Sequence, residues 1–143
     1  MLLGHDRAIY RQIFFEVWKK MQNRELILEP MEQHIVNVIR DHPEYHAILA
    51  NPEEYETFDF PIHNTYDNPF LHLSSHISLL EQLQLDRPHG LRACYQNLLP
   101  IFKDEHVLQH QIMDIIASYL WEAIQHQREI NEVAILSAIQ KLR

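Results

Sequence analysis

Hydrophobic residues recur every three or four positions through most of the chain, which is the period of amphipathic helices. The first such stripe repeats every four residues between positions 6 and 23. It consists of Ile9, Ile13, Val17 and Met21, and is widened by Phe14 and Trp18. Proline or asparagine stands where several later stripes begin, as in Glu29-Pro30 and Asn68-Pro69. Because proline suits the first position of a helix and asparagine caps it, these residues predict helix starts.

The pattern predicts an all-α fold, organised as a single helical domain over residues 1–143. A bundle of six or seven helices is expected, with the fourth and sixth packed together. The predicted helices span about 6–23, 30–41, 43–50, 69–85, 91–99, 104–127 and 131–143. Pro100 is expected to stop the fifth of these, because proline interrupts the hydrogen bonding of a helix interior.

Residues 51–67 show no sustained periodicity and are expected to form one long loop. Its aromatic residues argue against disorder, because they need a surface to pack on. A coil wrapped over the helices is the favoured interpretation, and a pair of short strands is the open alternative. The aromatic residues are Tyr55, Phe58, Phe60 and Tyr66.

Charge and composition exclude several functional classes. The net charge is -8, and residues 26–68 carry one basic and nine acidic side chains, which is the opposite of a nucleic-acid-binding face. Gly4 and Gly90 are the two glycines, so neither a phosphate-binding loop nor a dinucleotide or flavin motif can be built. The single Cys94 excludes an intramolecular disulfide and a multi-thiolate zinc site.

The sequence has no signal-peptide pattern after Met1, and no stretch approaches the roughly 18 apolar residues of a membrane helix. The expected location is therefore the cytoplasm, without membrane contact.

Two histidine pairs carry the candidate chemistry: His72 with His76, and His106 with His110. Four-residue spacing puts both rings of a pair on one helix face, about one turn apart. On a helical wheel His76 lies inside the apolar arc and His72 near its edge, whereas the second pair flanks the buried face. If the two helices pack together, the four imidazoles could converge on a metal ion.

The metal hypothesis names His72, His76, His106 and His110 as ligands. Four histidines suit tetrahedral zinc, and an added carboxylate from Asp114, Glu81 or Glu122 would suit iron, manganese or a dinuclear centre. Glu81 and Glu122 project to the polar side, which counts against them. Asp114 and His46 are second-tier candidates. His42 is set aside because it lies at or before the cap of its helix.

The alternative hypothesis is a non-enzymatic interaction or assembly module, as a homo-oligomer or with a protein partner, whose histidines are structural. No serine, cysteine or lysine has a recognisable nucleophile setting, and hydrolase, kinase and zinc-protease motifs are absent. Any catalysis would be metal-centred, and the sequence names no reaction.

Several ordered runs of the chain stand out together, namely Phe15–Lys20, His42–Leu49, Asn68–His76 with Glu81-Gln82, Pro88–Arg92, and His106–His110 followed by Trp121-Glu122. These runs resemble those of the bacterial domain-of-unknown-function family 1841. The likeness covers nearly the whole chain and implies a small helical protein, without supplying a biochemical role. Asp114 stands where glutamate is expected in the family, which keeps the carboxylate and shortens its reach.

Overall fold

The structure is a computed structural model that describes residues 6–24, 27–60 and 68–143, apart from the side chain of Asp6. Regular secondary structure in these ranges is entirely helical, which confirms the all-α class. Besides a short 3-10 helix at Pro43–Tyr45, the α-helices are α1 (Asp6–Gln22), α2 (Pro30–Arg40), α3 (His46–Leu49), α4 (Pro52–Tyr55), α5 (Pro69–Leu85), α6 (Leu91–Phe102), α7 (Glu105–Gln125) and α8 (Glu132–Gln140).

Helix α5 occupies the range that the sequence predicts for it. Its start is capped by Asn68, whose side-chain oxygen accepts hydrogen bonds from the backbone N–H groups of Phe70 at 3.0 Å and Leu71 at 3.3 Å. These bonds satisfy two of the amide groups that a helix start leaves unpaired. The cap fixes the register of α5 and therefore the face on which its histidines lie.

Two helix predictions need correction. One turn of helix, α4, lies inside the predicted 51–67 loop, where Pro52 and the acidic Glu53 and Glu54 favour a helix start. A single turn is too short to produce a detectable period. Helix α6 continues through Pro100 to Phe102, since a proline in the last turn removes only its own amide hydrogen bond. Residues 61–67 of the predicted loop lie outside the described residues.

The chain divides into two compact units, Met1–Ile77 and Ser78–Arg143, and the division falls within α5. In the first unit α1 packs against α2 and α3. In the second unit α6, α7 and α8 pack against one another. The single-domain organisation of residues 1–143 stays a prediction.

The buried face of α1 matches the predicted stripe in part. Phe14 and Val17 are buried as expected, whereas Ile9 and Ile13 are 69% and 47% exposed and Phe15 is buried instead. Positions four apart advance about 40° beyond a full turn, so a stripe repeating every four residues rotates away from a straight contact line.

The same buried face of α1 includes the guanidinium group of Arg11. Nη1 of Arg11 donates to the carbonyl oxygens of Tyr55 and Phe58, each at 2.8 Å. The guanidinium carbon lies 4.7 Å from the ring centroid of Phe70, at cation–π distance. Burial lowers the pKa of Arg11, but a guanidinium keeps its charge at any accessible pH. Arg11 therefore holds the segment after α4 against α1 and α5.

The second unit has an apolar interior. Leu79 of α5 belongs to the same buried cluster as Leu108 and Ile112 of α7, which confirms that the predicted fourth and sixth helices pack together. The remaining members are Leu91, Cys94, Tyr95, Leu98, Met113, Ile135 and Ile139. No helix in the described part of the chain has the length and apolar character needed to cross a bilayer.

Candidate metal centre

His72 and His76 lie on the buried side of α5 and are 3% and 1% exposed. Their rings are nearly parallel, with an interplanar angle of 8° and centroids 6.3 Å apart, as expected for residues one turn apart on one face. The predicted inward orientation of this pair is confirmed. Burying an imidazole costs about 1 to 3 kcal/mol unless its nitrogens find polar partners, so two such rings side by side require a polar neighbourhood.

A third imidazole, His42, is fully buried beside this pair. Its ring centroid lies 4.6 Å from that of His72 and 5.0 Å from that of His76, at interplanar angles of 77° and 83°. His42 follows the end of α2, and its backbone leaves the helical region before Pro43 (φ -126°, ψ 64°). The non-helical backbone at His42 therefore places its ring nearly perpendicular to both α5 rings.

The tautomer of His42 follows from its hydrogen bond. Nδ1 of His42 lies 2.7 Å from the carbonyl oxygen of Val38, and a carbonyl can only accept. Nδ1 therefore carries the proton and donates it, and the lone pair of the neutral ring is on Nε2. Metal-binding histidines commonly have this arrangement, with one nitrogen held by a backbone carbonyl and the other facing the ion.

His72 is oriented by Tyr45. Nδ1 of His72 lies 2.7 Å from the hydroxyl oxygen of Tyr45, so Nε2 is the nitrogen that can serve as a ligand. The Tyr45 ring also stacks parallel to His42, with centroids 5.6 Å apart and an interplanar angle of 2°. Burial, and secondarily the charge of Glu44, raises the pKa of Tyr45 to about 12, so its phenol is neutral at physiological pH.

The three imidazoles form a compact nitrogen donor set. One ring nitrogen from each of His42, His72 and His76 lies within 4.8 Å of one ring nitrogen from each of the others. Bonds of about 2.0 to 2.1 Å to a tetrahedral zinc ion would bring such nitrogens to about 3.3 Å apart, a change that small side-chain rotations can supply. The residues present therefore fit a transition metal ion.

The second-tier candidate His46 has a structural role. Nε2 of His46 lies 2.8 Å from the carbonyl oxygen of Ile39 and donates to it. Its ring packs on Trp18, with centroids 4.7 Å apart. The histidines that could hold a metal ion therefore include His42, which the sequence analysis set aside, and do not include His46. The available signal for His42 was its position in a turn before proline, a location that the helical wheel does not represent.

His106 and His110 lie in the second unit, near the start of α7, and both are half-buried. Their ring centroids are 4.0 Å apart. The side chain of Asp104 caps this helix by accepting from the backbone N–H groups of His106 and Val107, so the predicted start of α7 is confirmed. Asp114, one turn beyond His110, is exposed. The assignment of His106 and His110 as ligands stays a prediction.

Glu81 and Glu122 are exposed, as the helical wheel predicts. The sequence analysis offers both as carboxylate ligands for iron or manganese. Because both side chains are exposed, the buried candidate ligands of the first unit are imidazole nitrogens.

Comparison with known proteins places this helical chain in a family. Residues 6–141 match the family model described as Domain of unknown function (DUF1841). The chain belongs to the DUF1841 family. The match extends across all the described helices and confirms the resemblance seen in the sequence runs. No curated protein and no solved structure matches the chain. Because the DUF1841 description names no activity, the functional argument rests on the histidine site.

Proposed function

We propose that this DUF1841 protein binds a transition metal ion through His42, His72 and His76 of the first unit. The observation that carries the proposal is that these three imidazoles are buried and each has a ring nitrogen within 4.8 Å of one from each of the others.

The hydrogen bonds of these rings favour metal binding over a purely structural role. The hydrogen bond to Val38 puts the lone pair of His42 on Nε2. The Tyr45 hydroxyl lies at Nδ1 of His72, so Nε2 of His72 is the nitrogen that can coordinate an ion. Protonating three adjacent buried imidazoles would place like charges together in a poorly solvated interior. A divalent cation binds several neutral imidazoles at once and requires no such charging.

The donor chemistry favours zinc. Imidazole nitrogens suit zinc and other late transition metals, whereas manganese prefers carboxylate and carbonyl oxygens. Three histidine nitrogens and one further ligand would give zinc the closed tetrahedral shell of a structural site. Iron is the second choice, because imidazole also suits it, and manganese is the third.

The burial of the three histidines supports a structural metal centre rather than a catalytic one. Their exposed fractions of 0%, 3% and 1% leave the first-unit ligands shielded from solvent, whereas a catalytic zinc keeps a position open to water. The ion would join the turn after α2 to the first half of α5, and its binding free energy would add to the stability of the fold. No reaction is proposed, and the cytoplasmic location stays a prediction.

Elemental analysis of protein purified without an affinity tag tests the proposal. We expect about one zinc ion per chain, either as purified or after reconstitution of chelator-treated protein. The variant His42→Ala should bind less than a tenth of that amount. The matched control is His89→Ala, because the His89 side chain is fully exposed. Absence of stoichiometric transition metal from wild-type protein, both as purified and after reconstitution, would refute the proposal.

A protein contact is the second candidate function, and an exposed face of α7 favours it. Leu120, Trp121 and Ile124 are 42%, 64% and 53% exposed, and their spacing places them along one side of the helix. Contiguous exposed apolar side chains commonly mark protein–protein contacts. Light scattering across a concentration series tests self-association, and a constant monomer mass would exclude a homo-oligomer.

A further inference from the structure

Tyr45 contacts two of the three histidines that are proposed as ligands. Its hydroxyl oxygen lies 2.7 Å from Nδ1 of His72, and its ring stacks on His42. Its own backbone is fixed by the 3-10 turn, in which the N–H of Tyr45 donates to the carbonyl oxygen of His42 at 3.0 Å. One short turn therefore supplies both a candidate ligand and a side chain that reaches the next ligand.

The hydrogen bond between Tyr45 and His72 has two possible directions, and metal binding selects one of them. If the phenol donates to Nδ1, the proton of the neutral imidazole is on Nε2, which then has no lone pair for an ion. If Nδ1–H donates to the phenol oxygen, the lone pair is on Nε2 and can enter the coordination shell. Changing between the two states needs only rotation of the hydroxyl and relocation of one imidazole proton.

We propose that Tyr45 is a positioning residue of the metal centre, which accepts the Nδ1–H hydrogen bond of His72 and so directs Nε2 of His72 at the ion. The inference rests on the proposed metal function and adds a residue that no helical spacing indicates. Partners of this kind fix the tautomer and orientation of a ligand, and their removal typically weakens metal affinity about 10- to 100-fold.

The substitution Tyr45→Phe tests the role, because it removes the hydroxyl and keeps the ring that stacks on His42. The matched control is Tyr55→Phe, at another half-buried tyrosine of the first unit, whose ring packs on Phe58 and Phe60. We expect the zinc Kd to rise about 10-fold or more in Tyr45→Phe and less than twofold in Tyr55→Phe. The visible absorption bands of bound cobalt(II) should also shift in Tyr45→Phe alone, since they report the geometry of the ligands.

A second measurement needs no variant. Nitrogen NMR of the histidine rings in zinc-loaded wild-type protein should show Nδ1 of His72 protonated and Nε2 bound to metal. Zinc bound through Nδ1 of His72, or an unchanged Kd and cobalt spectrum in Tyr45→Phe, would overturn the role of Tyr45 and leave the metal function standing. Failure of wild-type protein to bind zinc or cobalt would overturn both.

Discussion

The interiors of the two units differ in chemistry. Among the described residues of the first unit, four buried side chains are polar, namely Arg11, His42, His72 and His76. The buried cluster of the second unit is aliphatic and aromatic, with Gln109 as a buried amide beside it. An apolar interior gains stability from the area that it removes from water, whereas a polar interior is stable only when each group meets a specific partner. The first unit is therefore where a ligand has a structural reason to bind.

The largest expected effect distinguishes the buried histidines of the first unit from the histidine pair of α7. His42→Ala or His76→Ala should weaken zinc binding on the order of 100-fold or more, because each removes a buried ligand. His106→Ala should retain most of the affinity, since the buried ligands that carry the proposal, His42, His72 and His76, all lie in the first unit. Isothermal titration of chelator-treated protein measures these values. Equal losses in His42→Ala and His106→Ala would show that the pair in the second unit is part of the site.

Metal removal should destabilise the wild-type protein. With zinc at about 1,000 times its Kd, binding contributes about 4 kcal/mol to the free energy of unfolding, or roughly 10 °C in Tm for a chain of this length. Differential scanning calorimetry with and without a chelator measures the shift. His42→Ala should show a shift near zero, and a chelator-independent Tm of metal-loaded wild-type protein would contradict a structural ion.

A cavity in the second unit should reduce stability without changing metal binding. Ile112→Ala removes a fully buried side chain from the apolar cluster, and we expect a loss of about 3 kcal/mol. Urea unfolding of the metal-free protein measures the loss, and zinc titration of the folded variant should give the wild-type Kd. Abolished zinc binding in a folded Ile112→Ala protein would contradict a site based on the first unit.

Arg11→Met should destabilise the first unit by about 2 kcal/mol, because it leaves the backbone carbonyl oxygens of Tyr55 and Phe58 without their charged donor. Methionine keeps much of the apolar contact with Phe70, so the change reports mainly the hydrogen bonds. Arg7→Met is the matched control: its guanidinium pairs with the exposed Asp59, and exposed pairs contribute little. Equal losses of unfolding free energy in the two variants would contradict the stabilising role of the buried Arg11 hydrogen bonds.

The smallest effect concerns an exposed turn of the second unit. The carboxylate of Asp86 accepts hydrogen bonds from the backbone N–H groups of Arg92 and Gly90, and these bonds hold the pKa of the carboxyl below the ordinary value. A lowered folded-state pKa stabilises the protein above the unfolded-state pKa, and this stabilisation is lost as the pH falls through the folded-state value. Asp86→Asn should therefore flatten the acid limb of the stability profile slightly, as measured by urea unfolding between about pH 2 and 6.

The sequence was sufficient to predict what local periodicity and capping determine. The ends of α5, the inward side of His72 and His76, and the packing of α5 with α7 in the second unit follow from spacing, Asn68 and proline. These features depend on residues within a few turns of one another.

The remaining features depend on where distant segments meet. His42 lies beside the α5 histidines because its backbone leaves the helical conformation before Pro43, and a helical wheel does not represent such a residue. Arg11 is buried because its guanidinium meets carbonyl groups about 44 positions later in the chain, whereas patterning assigns a charged residue to the surface. The four-residue spacing of Ile9 and Ile13 predicts a place in the core, but spacing alone does not show how far the stripe rotates around α1.

X-ray absorption at the zinc edge of the reconstituted protein tests the central claim most directly. The account predicts zinc surrounded by nitrogen at about 2.0 Å, with the outer-shell scattering of three or four imidazole rings, and one ring fewer in any His42→Ala protein that still retains zinc. A shell of oxygen or sulfur with fewer than two imidazoles, or a wild-type spectrum unchanged by His42→Ala, would contradict it.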